Sequence, residues 1–292
     1  MNDWVQLGLL LALAGHLCGQ DVVPPVDLGS EAKPMTESRS RQFVVHGANL
    51  QVRNAVATLA EETREALVDE IGGGDGFKKP IVIELLGKPG DKVPPNPLAT
   101  SLRTVNDSFR LQLYVHLARG IDQEGLERRI LELLIMERSL RNRGARGFED
   151  RVLVPDWLLE GFLEKFRWKR KEGDRNLYTA LFKRKALFSV ERLLPDDAAR
   201  DLGAGERAAF RASSGALVMA LLAQPDGKEG MAGFLGEVAT FEGAPMALLM
   251  KHFPDMNLGE KSLEKWWALQ LANMAEAPIT EMMTIAETEA AL

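Results

Sequence analysis

Two hydrophobic periods divide the chain, one strand-like and one helical. Gln42-Phe43-Val44-Val45-His46 reads as a short strand closed by Gly47. From Leu50 to Ile71, the residues Val52, Val56, Leu59, Leu67 and Ile71 recur at helical spacing, with Thr63 filling the gap. Charged side chains hold the opposite face, which predicts an amphipathic helix. The run Gly72-Gly73-Gly74-Asp75-Gly76 stops it. Pro80 to Leu86 is a second apolar strand, and Gly87 to Thr104 reads as a Pro/Gly-rich loop. Phe109, Leu111, Leu113, Val115 and Leu117 then alternate with Arg110, Gln112, Tyr114 and His116. That period of two predicts a strand with one buried face and one open face.

From Gly125 onward the period is helical. Segments 125–141 and 154–168 are predicted helices, followed by others near 176–194, 204–222, 228–237, 244–251 and 262–274. Gln224-Pro225-Asp226-Gly227 and Phe253-Pro254-Asp255 mark turns between them. No internal repeat is visible. The expected fold class is α+β: a small mixed sheet with its helix over residues 42–122, then a mainly helical lobe over 123–275, and a tail over 276–292.

Composition narrows the function classes. The 292 residues are 46% hydrophobic and 27% charged, with a net charge of −6. This describes a soluble globular protein and gives no support to nucleic-acid binding, which wants a concentrated basic face. Val5 to Leu17 is almost uninterrupted apolar sequence, too short to span a bilayer. It predicts an export signal over 1–19, cleaved near Gly19-Gln20, with a linker over 20–41. The expected location is periplasmic or extracellular, with no stable membrane insertion after cleavage. An N-terminal membrane anchor is the alternative, because no Lys or Arg precedes the apolar run. Cys18 is the single cysteine, and Gly15-His16-Leu17 is a poor context for lipidation there. Cysteine-based zinc sites are excluded by the same count, as are disulfides once residues 1–19 are removed.

The order of strand, helix, strand, strand, then a helix with a central Glu and a helix with Trp157-Leu158-Leu159-Glu160-Gly161, resembles the gluzincin metallopeptidases. It is most similar to the bacterial peptidase MA-like proteins. The small-residue helix Ala212-Ser213-Ser214-Gly215-Ala216-Leu217 and the terminal Leu263-Glu264-Lys265-Trp266-Trp267 extend the likeness to residues 42–274. The resemblance implies a zincin-like fold. In that family His-Glu-x-x-His on the first helix binds zinc and a Glu of the second helix completes the ligand set. It therefore implies Glu137 as the vestigial catalytic position, with Met136, Leu140 and Glu160 as vestigial metal positions. A thioether and a hydrocarbon stand where imidazoles belong, so no zinc and no hydrolysis by this mechanism are expected. A register centred on Glu132 places Leu131 and Ile135 at the ligand positions and fares no better.

In active zincins the substrate backbone docks on the edge strand beside the zinc helix. The resemblance thus implies a peptide or protein segment bound by strand addition at Phe109–Leu117, beside Arg110, Gln112, Tyr114 and His116. Two other functions stay open: a hydrolase with an unconventional metal site from Glu137, Glu160 and His116, or a structural envelope protein. Residue-level alternatives run alongside these. Trp157, Leu158, Phe162 and Phe166 suit a core stripe, and Glu137 with Arg141 suits an ordinary i,i+4 pair. If Glu137 and Glu160 face each other in a dry pocket, one carboxyl pKa is raised. The glycine run after Ile71 follows a helix and lacks Gly-Lys-Ser/Thr, so it is a helix stop rather than a phosphate loop. His46, His116 and His252 make a weak metal set. The basic run Arg167–Lys171 reads as a solvated helix face, and Ser213 and Ser214 lack a base pattern.

Overall fold

A computed structural model describes residues 34–72, 77–105, 108–141, 152–256 and 262–275. The expected export signal over 1–19 with Cys18, most of the expected 20–41 linker and the 276–292 tail lie outside the described residues. All described residues belong to one unit, Lys33–Leu292, so the predicted sheet and helical lobes are parts of one body.

The architecture is α+β, with a small mixed sheet and a helical majority. Strands β1 (Met35–Glu37), β2 (Phe43–His46), β3 (Ile81–Leu86), β4 (Leu98–Val105) and β5 (Ser108–His116) lie in the order β1-β2-β3-β5-β4. β2, β3 and β5 run parallel, and β1 and β4 flank them antiparallel. Phe43, Val45, Ile81, Ile83, Leu111, Leu113 and Val115 are buried on one face, as the alternation requires.

Helix α1 (Leu50–Ile71) makes the crossover from β2 to β3. Asn49 caps its start by accepting the Val52 N–H, and Gly72 ends it at φ 73°, a conformation only glycine adopts without cost. Thr63 is buried within the stripe because its hydroxyl donates to the Leu59 carbonyl at 2.8 Å. α2 (Gln123–Leu140) follows β5 and packs on α1, β4 and β5. α3 (Asp156–Lys169), α4 (Arg175–Lys183), α5 (Val190–Leu193), α6 (Ala204–Leu222), α7 (Gly227–Leu235), α8 (Pro245–His252) and α9 (Ser262–Ala275) complete the order. Their core centres on α3 crossing α6. Trp157, Leu158, Phe162 and Phe166 form the buried stripe of α3.

Three expectations fail locally. The 87–104 loop contains strand β4, whose Leu98-Ala99-Thr100-Ser101-Leu102 is too polar to register as a strand. The linker contains β1, held by Gly47 N–H on the Pro34 carbonyl (3.1 Å) and Ser38 N–H on the Phe43 carbonyl (2.9 Å). The 176–194 helix is two, because the chain turns left-handed at Lys185 (φ 52°) and the Lys185 and Ala186 N–H groups close on Phe182 and Leu181.

Candidate functional site

Helices α2 and α3 carry the four positions singled out by the resemblance, and the fold gives each a structural setting. Glu137 is fully buried. Its Oε1 accepts the backbone N–H groups of Lys78 (2.8 Å) and Lys79 (3.0 Å). Its Oε2 accepts Arg141 Nη2 at 2.9 Å, so the i,i+4 pair is present and reinforced. The Arg141 guanidinium also lies 5.5 Å from the Phe77 ring centroid. One carboxylate thus latches α2 to the segment that enters β3. Met136 and Leu140 are buried in the hydrophobic core. On the same helix, Ser139 donates to the Leu235 carbonyl (2.6 Å) and Arg138 to the Ala232 carbonyl (3.1 Å), fixing the end of α2 to α7.

Glu160 lies elsewhere. It accepts Arg128 Nε at 3.3 Å, and the same guanidinium binds Asp156 one turn earlier on α3. Arg128 and Glu137 are about two and a half turns apart on α2 and point to opposite sides. Glu137 and Glu160 therefore do not share a pocket, so the condition for mutual repulsion between them is not met. The hydrolase set of Glu137, Glu160 and His116 is not assembled either. His116 sits at the end of β5, where its Nδ1 accepts the Ala118 N–H at 3.3 Å and its ring packs under Gly87.

Arg128 was not singled out by the sequence reading, and it proves central. Burial alone would lower its pKa, but Asp156, Glu160 and Glu132 outweigh that and hold the guanidinium above its ordinary value. Three carboxylates thus gather around a resident cation supplied by the chain itself. A signal was present: Arg128 precedes Glu132 by four residues, and Asp156 and Glu160 share one face of α3 by the same spacing. In the Glu132 register, Leu131 and Ile135 are both fully buried hydrocarbons.

A zinc ion does not fit these residues. Met136 and Leu140 offer no nitrogen, Glu137 is committed to three donors, and Glu160 is committed to Arg128. Among the described residues no group of three or more His, Cys, Asp or Glu is placed to hold a metal, which covers His46, His116 and His252.

Strand addition at Phe109–Leu117 is ruled out by the sheet order. β5 is hydrogen-bonded to β3 on one side and β4 on the other, so its backbone has no free edge. Of the four side chains named on its open face, Arg110 is exposed, Gln112 and His116 are half-buried, and Tyr114 is buried. The edge beside α2 belongs to β4. His116 N–H bonds the Pro97 carbonyl (2.8 Å), so odd-numbered β4 residues face β5. Thr100, Leu102 and Thr104 then turn their N–H and C=O groups outward.

The basic run Arg167–Lys171 is not a bare solvated face. Arg167 pairs with Glu124 and Glu164, Lys169 with Asp69 and Glu70, and Arg170 with Glu127 and Glu172. These pairs belt the end of α3 to α1 and α2. The Lys169 ammonium holds the Asp69 carboxyl below its usual range, by hydrogen bond and by charge. Ser213 is also structural: it donates to the Ala209 carbonyl (2.7 Å) and accepts the Phe188 N–H (2.9 Å).

One pH response follows from the far end of the helical part. Burial and the neighbouring Lys251 hold the His252 pKa below its ordinary value, and Glu237 only partly offsets them. The unfolded chain then binds a proton at about pH 6.5 that the folded chain refuses until lower pH. Stability is full above that pH and falls as pH drops toward the folded value. Urea unfolding between pH 7 and pH 5 should show this loss in the parent and a flatter profile in His252→Gln. An equal slope in both would refute the assignment. A second loss, below about pH 4, is expected as Glu61, Asp69 and Glu237, all lowered in the fold, take up protons.

Compared with known proteins, the chain matches no family model, no curated protein and no solved structure.

Proposed function

We propose that the chain is an exported, catalytically silent metallopeptidase-like protein, with a zincin-like scaffold whose two former active-site helices now hold the fold together. The observation that carries this reading is the commitment of Glu137. A catalytic Glu must face a water on a metal, and this one serves two backbone N–H groups and Arg141. Burial of Met136 and Leu140 supports the same reading, and equally supports the second one, a structural envelope protein.

The remaining functional asset is a peptide-docking edge. In active zincins the substrate backbone lies on the edge strand beside the zinc helix, and here that strand is β4. An extended peptide or protein segment would pair with Thr100, Leu102 and Thr104 through main-chain hydrogen bonds. No zinc is part of this proposal, and no hydrolytic step is derived.

Two measurements test it. Metal analysis of dialysed protein is expected to find no stoichiometric zinc, and assays on unstructured substrates no peptide hydrolysis. One zinc per chain that disappears in Glu160→Gln would overturn the silent-enzyme reading. For docking, Thr100→Pro removes an outward N–H without touching the β5 ladder. Binding of an extended peptide library that is lost in Thr100→Pro, with unchanged circular dichroism, supports the edge. Absence of any binding by the parent would favour the structural protein.

A further inference from the structure

We infer that the β4 edge takes acidic peptides, because Arg103 and Arg110 set two guanidiniums beside it; the inference rests on the docking reading above. The pairing register puts Arg103 of β4 directly opposite Arg110 of β5. Both are exposed, and neither has an ion pair among the described residues. Side chains opposite each other in an antiparallel ladder have Cβ atoms about 5 Å apart, and like charges placed so repel. Arg103 Nε donates to Ser101 Oγ at 3.4 Å, so that guanidinium lies along its own strand rather than against an acid.

The rest of the open face does not neutralise the pair. The register puts Glu37 of β1 and Glu84 of β3 on that face. Glu37 is three strands from Arg110, and Glu84 is level with Tyr114, four residues along. At about 4.8 Å per strand and about 3.3 Å per residue, each position is more than about 12 Å from Arg110. A single charge is enough to blunt an exposed edge. The second arginine, set opposite the first, adds repulsion that an anionic partner relieves.

The ladder says what kind of anion. Thr100, Leu102 and Thr104 turn their backbone groups outward, so an added antiparallel strand is built on them. Its residues opposite Ser101 and Arg103 fall in non-hydrogen-bonded pairs, the closer kind, with side chains on the open face. A glutamate or aspartate opposite Arg103 meets that guanidinium, with Arg110 behind it, in a charge-assisted contact. The residue opposite Leu102 turns to the other face, where Leu102 packs on the core, and suits an apolar side chain. The ligand is therefore an extended segment that alternates apolar and acidic residues. A second copy of this chain is the poorer occupant, since pairing β4 with β4 brings four arginines together.

Fluorescence anisotropy with labelled hexapeptides of repeating Val-Glu, Val-Gln or Val-Lys tests this on the full chain. The Val-Glu peptide should bind at least about tenfold more tightly than Val-Gln, and Val-Lys more weakly than either. Arg103→Gln and Arg110→Gln, both at exposed positions, should each shrink that ratio severalfold. Arg103→Glu together with Arg110→Glu should turn the preference to Val-Lys. Without peptide, Arg110→Gln should raise the urea midpoint, since one charge of a repelling pair is gone. Equal binding of Val-Glu and Val-Gln that Thr100→Pro abolishes would overturn the inference and leave the edge standing. No binding of any of the three would overturn both. Val-Glu binding that Thr100→Pro leaves intact would also overturn it, as would a dimer in sedimentation that Thr100→Pro dissociates. So would a urea midpoint lowered by Arg110→Gln, since the guanidinium would then already have a partner within the chain.

Discussion

Replacing Glu137 by alanine is expected to lower the unfolding free energy by about 3–5 kcal/mol, the cost of breaking a buried, hydrogen-bonded charge pair from one side. Three donors lose their acceptor at once: the N–H groups of Lys78 and Lys79 and the guanidinium of Arg141, whose side chain is only 4% exposed. Glu137→Gln keeps a carbonyl oxygen for the two amides but removes the negative charge that faces the Arg141 guanidinium, so it should fall between parent and alanine variant. Glu160→Ala is the contrast, because Glu160 is one of the three carboxylates around Arg128, of which Asp156 also pairs with it directly, and the Arg128 side chain is itself 25% exposed. Its loss should cost about 1 kcal/mol or less. Urea titrations with an unchanged m-value would read both directly. A Glu137→Ala shift no larger than that of Glu160→Ala would mean that the latch does not hold the sheet to α2.

The second large effect is expected at Gly161, where adding one methyl group should destabilise although it improves helix propensity. A Cβ there would lie 2.5 Å from Val218 Cγ2 and 2.7 Å from the Ser214 carbonyl oxygen. The Val218 methyl can rotate away, but the Ser214 oxygen is backbone and can yield only if α6 shifts. Alanine gains about 1 kcal/mol over glycine inside a helix, and overpacking typically costs about 1–3 kcal/mol. Gly161→Ala should therefore be destabilising by roughly 1 kcal/mol net, and Gly161→Val by 3 kcal/mol or more. Gly205→Ala, in the first turn of α6 with nothing within 4 Å of the added carbon, should stabilise instead. The same substitution thus has opposite signs at two helical glycines. If Gly161→Ala raised the midpoint of unfolding, the close crossing of α3 over α6 would be wrong.

That crossing also explains two features of the sequence that carry the resemblance. The Gly of Trp157-Leu158-Leu159-Glu160-Gly161 lets α3 approach the α6 backbone, and the small residues Ser213-Ser214-Gly215-Ala216 let α6 approach in return. At Gly215 a Cβ would meet Glu164 Cγ at 2.6 Å. The motif is accounted for by packing, without any demand for a metal.

Much of the fold was legible because local signals agreed. α1 shows its period, its Asn49 cap and its Gly72 stop within one stretch of chain, and its predicted bounds coincide with the observed ones. β5 was readable for the same reason. β4 and β1 were not, because their stability comes from neighbours: a Thr/Ser-rich edge and a three-residue flank gain their order only once β5 and β2 exist. The site divides along the same line. The Glu137–Arg141 pair is local and was foreseen. The amides of Lys78 and Lys79, which decide what Glu137 does, lie about sixty positions away and become its partners only through the packing of α2 on the sheet. Arg128 carries no signal strong enough to single it out until α3 delivers Asp156 and Glu160 to it.

The belt of ion pairs at the end of α3 has a consequence for heat. Lys165, Lys169 and Arg170 reach Glu70, Asp69 and Glu127, while Glu124 is shared by Arg167 and Arg211 of α6. Charged groups lose hydration free energy as temperature rises, so the cost of bringing them together shrinks while the gain from apolar burial levels off. Four helices that meet through this belt, α1, α2, α3 and α6, are thus fastened by a contact whose relative worth grows with warming. The junction of these four helices should be the last part of this body to loosen in a thermal melt, after the ends of α4 and α9, which lie outside the belt.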